Sequence, residues 1–246
     1  MKEEVILIEI ATADLETTRH AIAGGADRIE LCANLGEGGT TPAYGTLRVC
    51  RESFQVPIFP IIRPRCGDFL YTDDEFKTMC YEVELVKSMG FEGVVIGMLS
   101  SNGRIDLSRT EKLRELAYPM NVTFHRAFDR CVDPYEALEE LISIGIDRVL
   151  TSGQYPTAPE GVECIATLQK QSNGRIVIMP GSGVRPENLQ QLREQTGCYE
   201  FHSSLRGWQE SKMEFRHPNF SASKESYQNP FIDPKKVEGL RVEGRG

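Results

Sequence analysis

The sequence predicts a (β/α)8 TIM barrel, an α/β fold, built as a single domain with a C-terminal arm. Strand-like and helix-like segments alternate from residue 5 to residue 203, which is typical of βαβ units with a parallel sheet. The length of 246 residues suits one barrel of about 250 residues. The first strand is not followed by a Gly-rich dinucleotide turn, so closure into a barrel is favoured over an open doubly wound sheet.

The predicted elements follow one another in a regular order. Apolar, β-branched runs predict strands over residues 5–10, 28–31, 57–63, 93–97, 121–125, 148–152, 175–180 and 199–203. Between them, helices are predicted over residues 14–23, 44–53, 73–89, 107–117, 134–144, 160–171 and 186–195. Asp14 is a typical residue to begin a helix. Four helices end in a glycine, which takes the left-handed position after a helix without steric cost; these are Gly25, Gly90, Gly145 and Gly197.

Residues 1–204 are assigned to the barrel and residues 205–246 to the arm. The arm carries several aromatic residues without a clear period, namely Trp208, Phe215, Phe220, Tyr227 and Phe231. They are too many for a solvated linker, so we expect them to pack on the barrel or at a subunit interface. Asp233-Pro234 resembles a helix start with proline in the first turn, which predicts a short last helix over residues 234–241.

Composition and charge exclude several classes of function. The net charge of −8 is spread along the chain without a basic run, which argues against nucleic acid as a partner. No apolar run approaches the roughly 20 residues that a membrane span needs. The seven cysteines lack paired spacing, which indicates reduced thiols, and Met1-Lys2-Glu3-Glu4 leads into a strand without a signal peptide. We therefore expect a cytoplasmic protein.

Strand parity predicts which side chains enter the barrel, because successive residues of a strand face opposite sides of the sheet. Ile8 and Ile10 belong to the helix-facing set of the first strand, so Glu9 points inward. The same rule, applied to the other strands, gives an inward set of ionisable residues at or near the carboxyl ends: Glu9, Glu30, Arg63, His125 and His202. Barrel active sites lie at that end, so we predict that these side chains converge on one cavity. For any one of them a structural ion pair is the alternative interpretation.

The seventh strand runs into the turn Gly181-Ser182-Gly183-Val184, just before a helix that begins near Pro186. Backbone N–H groups at such a helix start bind phosphate or carboxylate, although a tight turn that needs glycine gives the same pattern. No lysine lies in a strand or just after one, so a Schiff-base mechanism has no nucleophile. The chemistry that remains is that of carboxylates and imidazoles, including metal coordination.

At these residues the sequence resembles the CutC copper-homeostasis family. The matching segments, which span the chain to about residue 204, are Glu30-Leu31-Cys32-Ala33-Asn34-Leu35, Arg63-Pro64-Arg65-Cys66-Gly67-Asp68-Phe69, Thr123-Phe124-His125-Arg126-Ala127-Phe128-Asp129, Thr151-Ser152-Gly153, Gly181-Ser182-Gly183-Val184 and Glu200-Phe201-His202-Ser203-Ser204. The resemblance implies a (β/α)8 barrel, copper handling in the cytoplasm and self-association, which we expect as a dimer or tetramer.

Two hypotheses of different class follow. The first is a cytoplasmic copper homeostasis protein that binds copper ion; Cu(I) prefers sulfur, and Cys32 combines inward parity with a matching segment. A buried core thiol is the alternative interpretation of Cys32. The second is a barrel enzyme acting on a small anionic, including phosphorylated, metabolite. In that enzyme the acid–base residues are Glu9, Glu30, His125, Asp129 and His202, and the anion is held by Arg63, Asn34, Ser152, Gly181, Ser182 and Gly183. Whether the protein is an enzyme stays open at this point.

Overall fold

The computed structural model describes residues 6–220 and 227–243, and its elements alternate as predicted. The barrel strands are β1 (Leu7–Thr12), β2 (Arg28–Leu31), β3 (Ile58–Pro60), β4 (Gly93–Ile96), β5 (Asn121–Phe124), β6 (Arg148–Thr151), β7 (Val177–Pro180) and β8 (Glu200–Ser203). The helices are α1 (Leu15–Ala23), α2 (Tyr44–Ser53), α3 (Asp73–Ser88), α4 (Leu107–Ala117), α5 (Pro134–Ser143), α6 (Val162–Ser172), α7 (Pro186–Thr196) and α8 (Pro234–Glu243). Val5, the first residue of the predicted first strand, lies outside the described residues.

The eight strands close into a parallel barrel. One run of hydrogen-bonded strands has the order β3-β2-β1-β8 and the other has the order β4-β5-β6-β7. A parallel bridge between Ile61 and Val95 joins β3 to β4, and β7 lies beside β8. The strands therefore follow each other around the ring in chain order, which confirms the (β/α)8 prediction. None of the helices within the described ranges has the length and apolar character that crossing a membrane requires.

The local signals for helix ends act as predicted. The Asp14 carboxylate accepts the backbone N–H of Thr17 at 2.8 Å and so begins α1. Asp133 does the same for α5, accepting the N–H groups of Tyr135 and Glu136. The four glycines predicted to end helices all have positive φ, between +72° and +90°. Each helix therefore stops where the chain must turn back toward the sheet.

Two sets of apolar residues form the core, one between the strands and the helices and the other inside the barrel. Ile8, Ile10 and Ile29 belong to the large cluster that the strands share with the helices, as strand parity predicts. Phe59 and Val95, with Cys32 and Ile61, form a separate small cluster inside the barrel. The interior is therefore only partly apolar, and charged side chains occupy the rest of it.

The lower half of the barrel interior holds a buried network of ion pairs. Arg28 pairs with Glu9 and, at 2.6 Å, with Glu200. Arg148 donates to the Glu200 carboxylate at 2.5 and 3.1 Å. The Phe59 ring lies 5.1 Å from the Arg28 guanidinium and 5.8 Å from that of Arg148. Because Arg28, Arg148 and Glu200 stand at the beginnings of their strands, this network forms the barrel floor, and two cations are neutralised there by two carboxylates.

The C-terminal region forms a hairpin and the predicted last helix. Strands β9 (Arg206–Glu210) and β10 (Gln228–Ile232) pair antiparallel. Helix α8 packs against α1 and α7, so closely that a side chain at Gly24 would meet the Pro234 carbonyl oxygen at 2.4 Å. It thereby completes the ring of helices around the barrel.

The aromatic residues of this region behave differently from one another. Phe231 packs edge-on against His20 of α1 at 5.1 Å, whereas Trp208 and Phe215 are 66% and 68% exposed. The Tyr227 ring lies 4.8 Å from the Arg216 guanidinium within the hairpin region. The side chain of Phe220 lies outside the described part of the chain. Packing on the barrel therefore holds for Phe231 but not for Trp208 or Phe215, and their burial at a subunit interface stays a prediction.

Candidate functional site

A cavity of about 640 Å³ opens at the carboxyl ends of the barrel strands, a size typical of small-molecule sites. The predicted residues that line it are Glu30, Arg63, His125, Asp129, Ser152, Gly181, Ser182, Gly183 and His202. Glu9 and Asn34, also predicted for the site, do not line it. Glu9 lies deeper and pairs with Arg28 in the floor, while Asn34 is exposed in a left-handed turn, where its amide donates to the Thr40 hydroxyl at 2.9 Å.

Glu30 and His202 form a buried pair in the cavity wall. The Glu30 carboxylate and Nε2 of His202 are 2.8 Å apart, and both residues are less than 10% exposed. Burial alone would lower the pKa of His202, but the charge and hydrogen bond of Glu30 and the charge of Glu9 raise it above its ordinary value. The Glu30 carboxyl group therefore favours the protonated form of the His202 imidazole, and the pair is an arrangement able to give and take a proton.

His125 is a neutral imidazole in a fixed orientation. Its Nδ1 accepts the backbone N–H of Ala127 at 3.1 Å, and its ring lies against Phe69 at 5.0 Å. Burial, and then the positive charges of Arg63 and Arg126, lower the pKa of His125 to about 3. At neutral pH the proton of this ring is therefore on Nε2. A side chain at Gly97 would come within 2.4 Å of the ring, so glycine at that position is what gives the imidazole its space.

Arg63 is anchored in the wall by backbone carbonyl groups. Its Nη1 donates to the carbonyl oxygens of Glu37 and Gly39, at 3.1 and 2.5 Å, and its Nη2 to that of Gly67 at 2.9 Å. The guanidinium also lies 5.1 Å from the Phe69 ring. Arg63 therefore fixes the loops after β2 and β3 as well as bringing a positive charge to the cavity.

Asp129 organises the loop after β6. Its carboxylate accepts the Thr151 hydroxyl at 2.6 Å and the backbone N–H groups of Ser152 and Gln154 at 3.0 and 3.1 Å. The Ser152 hydroxyl in turn donates to the Tyr155 carbonyl oxygen at 2.5 Å. The carboxylate oxygens of Asp129 therefore accept most of their hydrogen bonds from the protein itself. These bonds hold the loop that forms this part of the cavity wall, so Asp129 is a positioning residue.

The turn after β7 presents backbone N–H groups to the cavity. Ser182 and Gly183 both have positive φ, a conformation in which successive N–H groups converge. Within the described residues, no hydrogen bond is made by the N–H groups of Ser182, Gly183, Val184 or, after β8, Ser204. The N–H of Arg185, which the helix start would also offer, is already bonded to the Asn188 side chain at 2.9 Å.

The outer rim of the cavity is cationic. Among the described residues, four cationic side chains line it, those of Arg126, Arg185, Arg206 and Lys236, against the acidic side chains of Glu187 and Asp129. Of the cationic residues, Arg126 could be found from the sequence, because it follows the fifth strand directly. Arg206 and Lys236 could not, because the C-terminal region has no periodicity that predicts its return to the barrel mouth.

Cys32 lies inside the barrel, outside the cavity wall. Its thiol is buried beside Gly39, where an added side chain would lie 3.3 Å from Sγ. Burial, followed by the charges of Glu30 and Glu9, raises the pKa of Cys32 well above its ordinary value. Within residues 6–220 and 227–243, no three His, Cys, Asp or Glu side chains are grouped so that they could hold a metal ion. Cys32 would therefore have to lose its proton before it could bind Cu(I) as a thiolate.

Comparison with known proteins identifies a family. The model of the CutC family matches residues 6–207. A family protein CutC from Chromobacterium violaceum is 49% identical over 210 residues, which are 85% of this chain and 85% of the relative. The copper homeostasis protein cutC homolog of Homo sapiens is 45% identical over 240 residues, 96% of this chain and 88% of the relative. A crystal structure of CutC from Streptococcus agalactiae superposes with a TM-score of 0.78 at 31% identity, covering 81% of this chain and 99% of that one.

Proposed function

This chain belongs to the CutC family, and from that premise we propose that it works in copper homeostasis and that its barrel mouth is an enzyme site for a small anionic molecule. The role in copper homeostasis rests on the names of relatives such as the human protein. The anionic ligand rests on one observation, which is that unpaired backbone N–H groups after β7 and β8 lie inside a cationic rim.

The turns after β7 and β8 have the donors that a tetrahedral oxyanion needs. Three successive N–H groups, from Ser182 to Val184, stand at the entrance of helix α7, and the N–H of Ser204 lies on the neighbouring turn. A helix start contributes about 0.3–1 kcal/mol to anion binding, and more where the site is partly buried. The rim cations add long-range attraction, which concentrates anions at the mouth.

The proposed chemistry is acid–base catalysis by the Glu30–His202 pair. The two groups face the same cavity as the N–H donors, so a bound anion would lie within reach of a group that can donate a proton and one that can accept it. Glu9 and Asp129, which we also predicted as acid–base residues, are bonded to other protein groups. We assign Glu9 to the barrel floor and Asp129 to positioning the loop after β6.

Calorimetric titration with inorganic phosphate tests the proposal. Lys236, on the rim, makes no ion pair within the described residues, so Lys236→Ala removes a charge without breaking an ion pair. We expect phosphate to bind the wild-type protein, and Lys236→Ala to weaken binding by at least about threefold. Lys170→Ala is the matched control, because Lys170 is an exposed lysine in the last turn of α6, at the opposite end of the barrel. Absence of phosphate binding, or equal effects of both substitutions, would count against the site.

Copper binding at Cys32 is the second candidate function. It is favoured by the position of Cys32, whose sulfur lies inside the barrel next to the cavity residue Glu30. Bound metal would displace the thiol proton, so Cu(I) affinity should rise with pH. Competition with a chromogenic Cu(I) chelator tests this, with Cys50→Ser as control, because Cys50 is equally buried but lies in helix α2. Loss of affinity in Cys32→Ser alone supports the copper site, and equal affinity of all three proteins refutes it.

We further propose a cytoplasmic homo-oligomer. The seven cysteines are all free thiols, which suits a reducing compartment. Trp208 and Phe215 expose large apolar surfaces on the hairpin, and such surfaces favour association with another copy of the chain. Dimers and tetramers are the common closed arrangements.

A further inference from the structure

His202 has one ring nitrogen that the protein leaves without a partner at the cavity surface. Nε2 of the imidazole lies 2.8 Å from the Glu30 carboxylate, whereas Nδ1 makes no hydrogen bond within the described residues. The side chain keeps 11% of its surface exposed, at the cavity that it lines, and Nδ1 itself is not sealed off by the protein. An unpaired polar atom on the wall of a cavity is a contact point for a ligand.

Nδ1 of His202 lies beside both turns that offer backbone N–H groups. A side chain added at Gly181, the residue before Ser182, would lie 3.2 Å from Nδ1, so the glycine keeps space between this turn and the ring. Ser204, whose N–H is the donor of the other turn, follows His202 by two residues, and both line the cavity. An anion bound by both turns would therefore lie next to Nδ1.

The protonation state of His202 decides whether Nδ1 attracts or repels an anion. The imidazolium carries a proton on each nitrogen, so its Nε2–H faces Glu30 and its Nδ1–H faces the cavity. In the neutral ring, the Glu30 carboxylate keeps the remaining proton on Nε2. Nδ1 then presents a lone pair, which is unfavourable beside an anion.

The charged neighbours of the ring favour the imidazolium. Burial opposes that form, as does the charge of Arg28 on β2. Glu30 on β2, and Glu9, the register partner of His202 on β1, outweigh both, so the pKa of His202 is raised. On the β7 side the neighbour is Gly181, which carries no charge. Further out, the rim adds the charges of Arg185, Arg206, Lys236, Glu187 and Asp129.

Building on the anion site proposed above, we propose that the Nδ1–H of His202 donates a hydrogen bond to the anion held by the turns after β7 and β8. Glu30 is then the residue that positions the ring, and Nδ1 is the atom at which the pair offers its proton to the ligand. Because only the imidazolium carries this N–H, anion binding and protonation of His202 favour each other. The other cavity imidazole, His125, is neutral at neutral pH, since its pKa is lowered to about 3.

Sulfate binding as a function of pH tests the proposal, because the charge of sulfate does not change near neutral pH. We expect calorimetry to give the tightest binding near pH 6.5, and a loss of up to about tenfold per pH unit above the folded pKa of His202. By the same linkage, sulfate should raise the pKa that NMR measures for His202. It should leave the signals of the His20 ring, which does not line the cavity, in place.

His202→Gln removes the donor at Nδ1 but places an amide near Nε2, where it can bond to Glu30. Near pH 6.5 this variant should bind sulfate at least about tenfold more weakly than the wild-type protein, and its affinity should no longer depend on pH. His20→Gln is the matched control and should behave as the wild-type protein does. Melting curves show whether each variant folds, and the NMR titration of the wild-type protein decides the matter where His202→Gln does not.

The outcomes separate the role of His202 from the anion site itself. If sulfate binds equally well across the pH range, or if folded His202→Gln keeps the pH dependence, the role of His202 is refuted and the anion site stands. A His202 pKa that bound sulfate leaves unchanged refutes that role as well. If neither sulfate nor phosphate binds the wild-type protein, the anion site fails and the role of His202 fails with it.

Discussion

Replacing Glu200 with Gln should strongly destabilise the barrel, because it removes the shared anion of the floor. The Glu200 carboxylate accepts from Arg28 at 2.6 Å and from Arg148 at 2.5 and 3.1 Å, and the three residues are only 4–7% exposed. The pKa of Glu200 is lowered even though burial alone would raise it, because the hydrogen bonds and charges of the two arginines outweigh desolvation. Removing one partner of a buried ion pair typically costs about 3–5 kcal/mol, since a charge is left buried without compensation.

Urea denaturation followed by circular dichroism measures this cost, because urea, being uncharged, leaves ion pairs unscreened. The control is Glu139→Gln, which removes a carboxylate from an arginine as well, but from the exposed pair with Arg175. Exposed pairs contribute little, so this variant should unfold close to the wild-type midpoint. A free energy of unfolding for Glu200→Gln that falls by less than about 1 kcal/mol would refute the assignment of the floor as a stabilising network.

Three further predictions concern titration and association. In the folded protein His125 is neutral, whereas in the unfolded chain it takes up a proton below its ordinary pKa of 6.5. The free energy of unfolding should therefore fall as the pH drops from 6.5 toward about 3, by roughly 5 kcal/mol at about 1.4 kcal/mol per pKa unit. The fall should be smaller in His125→Asn. Because the pKa of His202 is raised in the folded protein, its contribution to the free energy of unfolding is complete below pH 6.5 and is lost as the pH rises through the folded pKa. Titration of the imidazole by NMR should give a pKa above 6.5. A pKa below 6.5 would contradict the ion pair with Glu30. Replacing Trp208 and Phe215 with Ser should shift sedimentation toward smaller species, and unchanged sedimentation would argue against a hairpin interface.

The fold could be predicted from the sequence because local signals and the global pattern agree. Alternating apolar runs predicted every barrel strand. Asp14 begins a helix and Gly25 ends one, and each does so through the conformation and hydrogen bonds of a few neighbouring residues. Strand parity likewise predicted that Glu30, His125 and His202 face one cavity. Each of these inferences needs only the geometry of a single element.

Height along the barrel axis could not be predicted from parity. Glu9 has the inward parity of a mouth residue, but its side chain pairs with Arg28 below. Parity applied to the strand beginnings would also have pointed Arg28, Arg148 and Glu200 inward, yet their mutual pairing depends on contacts between distant strands. Lys236 reaches the rim only because α8 packs back beside α7, and no periodic signal in the preceding residues predicts that return.

The central claim, an anion site in the barrel mouth, is tested most directly by diffraction from crystals soaked in selenate. Selenate is a tetrahedral oxyanion, and its selenium is located by anomalous scattering. We expect an anomalous peak at the turns after β7 and β8, with oxygen atoms within hydrogen-bond distance of the N–H groups of Gly183 and Ser204. Selenate bound only at other surfaces of the molecule, with none in the mouth, would contradict the claim.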